Sequence, residues 1–158
     1  MIKVLRLLFL SLVFKGVVFA TPFLMEDLKK DKINVVAFVT SWCFPCQKSS
    51  EYLLSLSEKN RDIFVTLLFV DEDVPKNIIK TENLNLLSIS YEESKKFGVD
   101  KSVPYILIFD RNRNFVKKYG SFNESLLSKL INNLKNGLYE NGTLPPDERI
   151  DLWQKKRF

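Results

Sequence analysis

Two cysteines, Cys43 and Cys46, are the only ones in a chain of 158 residues, and they stand three positions apart. Thiols at that spacing can close a disulfide with each other and open it by exchange with another disulfide. Three other readings compete for the pair. Half of a zinc site has this spacing, but zinc takes four ligands, and the chain has no further Cys and no His. Attachment of a c-type haem requires His directly after the second cysteine, where this chain has Gln47. A purely structural disulfide stays open, although a bridge across so short a loop restrains the unfolded chain little. The lack of His also excludes His-based triads and His-ligated metals. No metal and no bound cofactor are expected; the redox unit is the Cys43–Cys46 pair itself.

The segments around the pair must position it. Residues 34–40 (N-V-V-A-F-V-T) are short, apolar and β-branched, which reads as a strand buried on both faces. The spacing after Trp42-Cys43 predicts a helix over Phe44–Lys59, with Pro45 in its first turn, where a missing N–H costs nothing. A cysteine at a helix N-terminus meets free N–H groups and a partial positive charge, and both favour a thiolate. Cys43 is therefore the expected nucleophile, and Cys46, one turn deeper, the resolving thiol.

Farther along, residues 63–70 (I-F-V-T-L-L-F-V) read as a second buried strand, ended by Asp71-Glu72-Asp73. A short helix is expected from Pro75 to about Asn83 and an extended segment over Leu84–Ile89. Ser90 and Glu93 have capping-box spacing, so a helix to Phe97 with a stop at Gly98 is predicted. Residues 105–109 and 115–119 read as a hairpin around the polar turn Asp110–Asn114. Ser121 and Glu124 suggest another capping box. Phe122, Leu126, Leu127, Leu130, Ile131 and Leu134 behind it form a stripe at helical spacing, expected to pack on the core and to end at Gly137. Strand–helix–strand followed by a hairpin and a helix predicts an α/β fold, with helices on both faces of a mixed sheet.

The ends of the chain differ from its middle. Lys3 and Arg6, the apolar run Leu7–Phe14 and the exit Val18-Phe19-Ala20 have the layout of a secretory signal peptide. The apolar run is shorter than the roughly twenty residues a spanning helix needs. A retained anchor over Val4–Ala20 would carry Arg6 and Lys15. Residues 1–20 are thus expected to be a signal peptide or an N-terminal anchor. They hold three of the 24 basic residues and no acid, so residues 21–158 carry 21 basic against 19 acidic groups, a net +2. That balance gives no support to a nucleic-acid role. Pro145-Pro146 breaks the chain, and residues 138–158 are expected to be a C-terminal extension.

Trp42-Cys43-Phe44-Pro45-Cys46 resembles the W-C-x-P-C signature of the thioredoxin-like superfamily, and it stands between a strand and a helix as it does there. Val103-Pro104, directly before the strand at 105–109, is similar to that family's second landmark. The resemblance covers roughly residues 34–136. It implies a thioredoxin fold, a central mixed β-sheet flanked by helices on both faces, in a domain of residues 21–137. It also implies a cis peptide bond at Pro104, facing the cysteines. The interval between Cys46 and Pro104 is longer than in compact thioredoxins, with the excess at 74–91. Together with the export signal this resembles the extracytoplasmic TlpA/ResA-like thiol–disulfide oxidoreductases.

That branch implies a protein of the periplasm or outer membrane face that reduces or exchanges disulfides in exported proteins, apocytochrome c among them. Its partners would be protein thiols and disulfides and a membrane electron donor, and the chain is expected to be monomeric. Trp42, Phe44 and Pro45 would meet the substrate beside the sulfurs; Trp42 could equally pack in the core. Val103 would pair with an extended substrate, and Pro104 would keep that groove open. Departures from the pattern stand at Ala37 and Ser49, where relatives carry acids, and at Tyr105, where the family has Thr. With no acid there, the Cys46 proton would leave through water or another neighbour. Two further readings use the same residues: an extracytoplasmic disulfide oxidase or isomerase, and a non-catalytic thioredoxin-fold assembly module.

Overall fold

Strand β1 (Ile33–Val39) is buried along its whole length, as expected of a strand covered on both faces. The computed structural model describes residues 25–99 and 102–137. The expected signal segment and C-terminal extension lie outside the described residues. After β1 come helix α1 (Phe44–Lys59), β2 (Ile63–Val70), β3 (Leu84–Ile89), α2 (Tyr91–Lys95), β4 (Tyr105–Phe109), β5 (Phe115–Tyr119) and α3 (Glu124–Lys135). The sheet order is β3-β2-β1-β4-β5. β1 runs parallel to β2, and β2 to β3. β4 is antiparallel to both β1 and β5. This is the mixed sheet of the thioredoxin fold.

Side chains alternate across the sheet and divide the core into two layers. Val35, Ala37 and Val39 pack with Val65 and Leu67, with Leu53 of α1 and with Leu127 and Ile131 of α3. Val36 and Phe38 face the other way, with Leu68 and with Phe97 and Val99 behind α2. Phe38 is fully buried and stacks between Phe97 and Tyr105, at ring separations of 5.4 and 6.2 Å. Burying such a ring contributes roughly 1.5–3 kcal/mol. Tyr52 of α1 meets Phe122 at 5.6 Å, and burial pushes its phenol above the ordinary value. Near the start of β1, buried Asn34 receives the Lys29 N–H and donates to the Lys29 and Lys32 carbonyls, which closes the entry loop.

Some of these expectations are corrected. The first strand begins at Ile33 and ends at Val39, one residue earlier than the apolar pattern gave. The helix expected over 75–83 is a crossover of turns and irregular backbone instead. Asn77, Ile78, Ile79, Thr81 and Asn83 are weak helix formers, and tertiary contacts claim the segment. Val74 and Ile78 pack on the core, and Asn83 bonds to the Ser57 carbonyl and to Lys32. The extended segment expected over Leu84–Ile89 is edge strand β3 with those same bounds, aligned with β2 from Val65 to Val70.

The last helix is capped by Asn123 rather than Ser121: its side chain accepts the Leu126 N–H at 3.1 Å. Asn is among the preferred caps, and a start at Glu124 turns Leu127, Leu130, Ile131 and Leu134 onto the sheet. Leu126, expected in the buried stripe, is 52% exposed. At α2, Ser90 caps the Glu93 N–H as expected, while the Glu93 carboxylate pairs with Lys96. The helix ends at Lys95, and a turn carries the chain to Gly98 at φ +89°.

Two stability predictions follow from these local geometries. Asn123→Ala should lower the unfolding free energy by about 1 kcal/mol, whereas Ser121→Ala should change it by less than about 0.5 kcal/mol, both read from urea unfolding midpoints. A Cβ on Gly98 would lie 3.0 Å from the Tyr105 hydroxyl at a positive φ. Gly98→Ala should therefore cost about 1–2 kcal/mol, with an unchanged denaturant slope.

Candidate functional site

β1 and β2 are parallel, so their C-terminal ends lie at the same end of the sheet. Thr40, Ser41 and Trp42 turn the chain from the end of β1 into α1. Cys43 is the residue that caps that helix. Its backbone is extended, at φ −87° and ψ 117°, and its sulfur accepts the Cys46 N–H at 3.2 Å. The Gln47 N–H closes the first helical turn on the Cys43 carbonyl at 3.1 Å. A sulfur thus occupies the place of the usual capping oxygen, where the helix dipole favours negative charge.

Cys43 and Cys46 are joined by a disulfide, with their Cα atoms 5.1 Å apart. Both cysteines are buried, but unequally: Cys43 keeps 8% of its surface exposed and Cys46 none. Across from them the Val103–Pro104 peptide bond is cis. The Val103 carbonyl oxygen lies 3.7 Å from the Cys43 sulfur. In the disulfide that sulfur has no proton to give, so the approach is a contact; in the dithiol the Cys43 S–H has an acceptor there. Val103 is half-buried and Pro104 buried.

Trp42 is 78% and Phe44 64% exposed, which rules out a core role for Trp42. They stand directly before and after Cys43 in the chain, as two exposed aromatic side chains. Pro45 is exposed in the first turn of α1. Sequence reasoning missed Lys48, one turn beyond Phe44, whose ammonium lies 4.8 Å from that ring's centroid. The i, i+4 spacing on a predicted helix was the available signal. It also missed Glu72, whose carboxylate accepts from the Ser41 N–H and, at 2.7 Å, from the Ser41 hydroxyl. The acidic run after β2 was legible only as the end of a strand.

The interior side of the pair holds no acid at the two positions noted above. Ala37 and Ser49 are both fully buried, and the Ser49 hydroxyl donates to the Cys46 carbonyl at 2.9 Å. Among the described residues no group of three or more His, Cys, Asp or Glu could hold a metal ion. No helix among them is long and apolar enough to cross a membrane.

Solved structures share this arrangement of strands and helices. A DsbF homologue from Corynebacterium diphtheriae superposes with a TM-score of 0.52 at 22% identity, over 66% of this chain and 73% of its own. A thioredoxin-like protein from Aeropyrum pernix gives 0.54 at 18% identity, over 69% and 81%. The exposed lipoprotein thioredoxin of Streptococcus pneumoniae strain TIGR4 gives 0.50 at 19% identity, over 71% and 89%. At such identities the likeness speaks to the fold. No curated protein sequence matches the chain. A family model described as AhpC/TSA matches residues 19–145. That match spans most of the sequence and the whole described fold, so the chain belongs to the AhpC/TSA family, as a thioredoxin-fold member carrying the C-x-x-C pair of a thiol–disulfide oxidoreductase.

Proposed function

We propose that this protein is an exported thiol–disulfide oxidoreductase that reduces or exchanges disulfides in extracytoplasmic proteins. The observation that carries the reading is the unequal pair: the helix-capping sulfur of Cys43, a residue that keeps 8% of its surface exposed, bonded to the sulfur of Cys46, which is fully buried. In the reduced form the Cys43 thiolate attacks one sulfur of a substrate disulfide. A mixed disulfide forms and one substrate thiolate leaves. Cys46 then gives up its proton and attacks the Cys43 sulfur. The second substrate thiolate departs, and the Cys43–Cys46 disulfide remains. The substrate gains two electrons and, after protonation, two protons. A dithiol donor must return both before the next cycle.

Neither Ala37 nor Ser49 can take the Cys46 proton. The substrate thiolate released in the first step is the base formed closest to it, and water at the Cys43 opening carries the proton away. Trp42, Phe44 and Pro45 supply the docking rim. The Val103 backbone pairs with an extended substrate, with Pro104 shaping the groove. Export is supported by the signal-like layout of residues 1–20, and the resemblance to the TlpA/ResA-like branch suggests a membrane electron donor and apocytochrome c as one substrate.

Two experiments test the roles. Cys43→Ser should abolish dithiol-driven reduction of insulin disulfides, whereas a pure assembly module would keep its partner binding. In the reduced native protein iodoacetamide should alkylate Cys43 and leave Cys46 free until the chain is unfolded, as mass spectrometry of the two peptides would show; equal labelling would refute the assignment of nucleophile. The direction of flow is read from the reduction potential of the pair. A value at or below about −270 mV fits a reductant, while about −120 to −180 mV would make the protein an oxidase or isomerase.

A further inference from the structure

The turn that presents Cys43 is tied down on both sides by side chains from other elements. Ser41 is exposed, where water alone could satisfy its polar groups. Instead its N–H and hydroxyl both donate to the Glu72 carboxylate, and its carbonyl accepts from Gln47 Nε2 at 2.9 Å. Gln47 belongs to the first turn of α1, and Glu72 to the loop that leaves β2.

Glu72 is itself held. Its carbonyl accepts from the Ser88 hydroxyl near the end of β3. Its neighbour Asp71 sits at φ +54°. The Asp71 N–H donates to the Ile89 carbonyl at 2.8 Å, and the Asp71 carboxylate accepts the Tyr91 N–H at 2.7 Å, at the start of α2. The acid that grips Ser41 is thus anchored to β3 and α2.

We propose that Glu72 is a positioning residue of the redox turn: through Ser41 its carboxylate holds the Trp42–Cys43 corner where the Cys43 sulfur meets both the Cys46 N–H and the Val103 carbonyl. This rests on the reading of Cys43 as the nucleophile. Ser41 and Trp42 are both exposed, so the bonds add no core packing. What they fix is the turn. Cys43 lies two residues beyond Ser41, and its sulfur has a 3.2 Å bond to keep. A displacement of about 1 Å is enough to spoil such a geometry.

Charge and position predict opposite results, which makes the idea testable. An anionic carboxylate near Cys43 disfavours a thiolate. If charge were its role, Glu72→Ala and Glu72→Gln would both lower the pH midpoint of Cys43 alkylation. If position is its role, Gln keeps a carbonyl for the Ser41 N–H and an amide for the hydroxyl, and stays near wild type. Ala releases the turn and should raise the midpoint.

The experiment uses the full chain, reduced and freed of reductant, with iodoacetamide labelling of Cys43 followed across pH by mass spectrometry. Glu72→Ala is expected to raise the midpoint by about one unit, and hence to slow labelling below it about tenfold. Its insulin-reduction kcat/KM should fall in parallel while KM for the dithiol donor stays unchanged. Glu72→Gln should remain within about twofold of wild type in both, since a shift under 0.3 unit is at most that factor. Ser41→Ala removes one of the two bonds and should fall between them, which keeps the test open if Glu72→Ala does not fold. Wild-type behaviour of Glu72→Ala, a downward shift in both Glu72 variants, or losses that track the thermal unfolding midpoint would overturn the proposal. A wild-type protein inert toward insulin, with the midpoint shift intact, would sink the functional reading and leave the brace standing.

Discussion

A bond from the Cys46 N–H to the Cys43 sulfur fixes what the rest of the molecule must do. It demands that a helix begin at that residue, because only a helix start offers N–H groups with no partner in their own ladder. It also demands that the helix begin at the edge of the domain, so that the sulfur can be reached. The fold meets both conditions by running a fully buried strand to the rim of the sheet and starting α1 after only four intervening residues. The helix then descends along the sheet and buries Cys46, Ser49, Leu53 and Ser57. One sulfur stays at the opening and the other lies one turn inside.

The disulfide adds little to stability by comparison. Closing a loop of four residues constrains the unfolded chain by about 2 kcal/mol in the chain-entropy account, against about 4.7 kcal/mol for a hundred-residue loop. A single buried ring such as Phe38 contributes as much. The pair therefore has small structural value in either redox state. A redox centre that works by cycling needs that independence.

How legible the sequence was depended on whether local pattern or distant contact decided each element. Strands β2, β4 and β5 and helix α1 fall where periodicity puts them, since continuous burial imposes its pattern directly on the chain. Position 104 was legible only through resemblance, because nothing in a single X–Pro step announces its isomer. The 75–83 crossover departs from the expected helix because contacts distant in sequence decide it: Val74 and Ile78 pack against the core without a helix, and Asn83 bonds to Ser57 and Lys32. At the start of α3 two capping signals competed within three residues, and the sheet selected the register. The exposure of Trp42 and Phe44 could not be read, because an aromatic beside a buried strand has the same composition whether it faces inward or out. Glu72 was invisible as part of the site for a related reason: its partner Ser41 is 31 residues away.

That separation is bridged by topology. Three parallel strands, β1, β2 and β3, end on the same side of the sheet, the side where ligand sites gather in open α/β folds. The loop after β2 therefore emerges beside the loop after β1, whatever its sequence. The chain then needs a route from the end of β2 back to the start of β3. It takes that route as an irregular crossover whose first residues, Asp71 and Glu72, bond to Ile89, Tyr91, Ser88 and Ser41. An edge strand placed next to β2 thus gives this loop fixed points on its outer side. The segment from Asp71 to Tyr91 does more than add an edge strand to the sheet: it supplies the anchorage from which an acid can reach the redox turn.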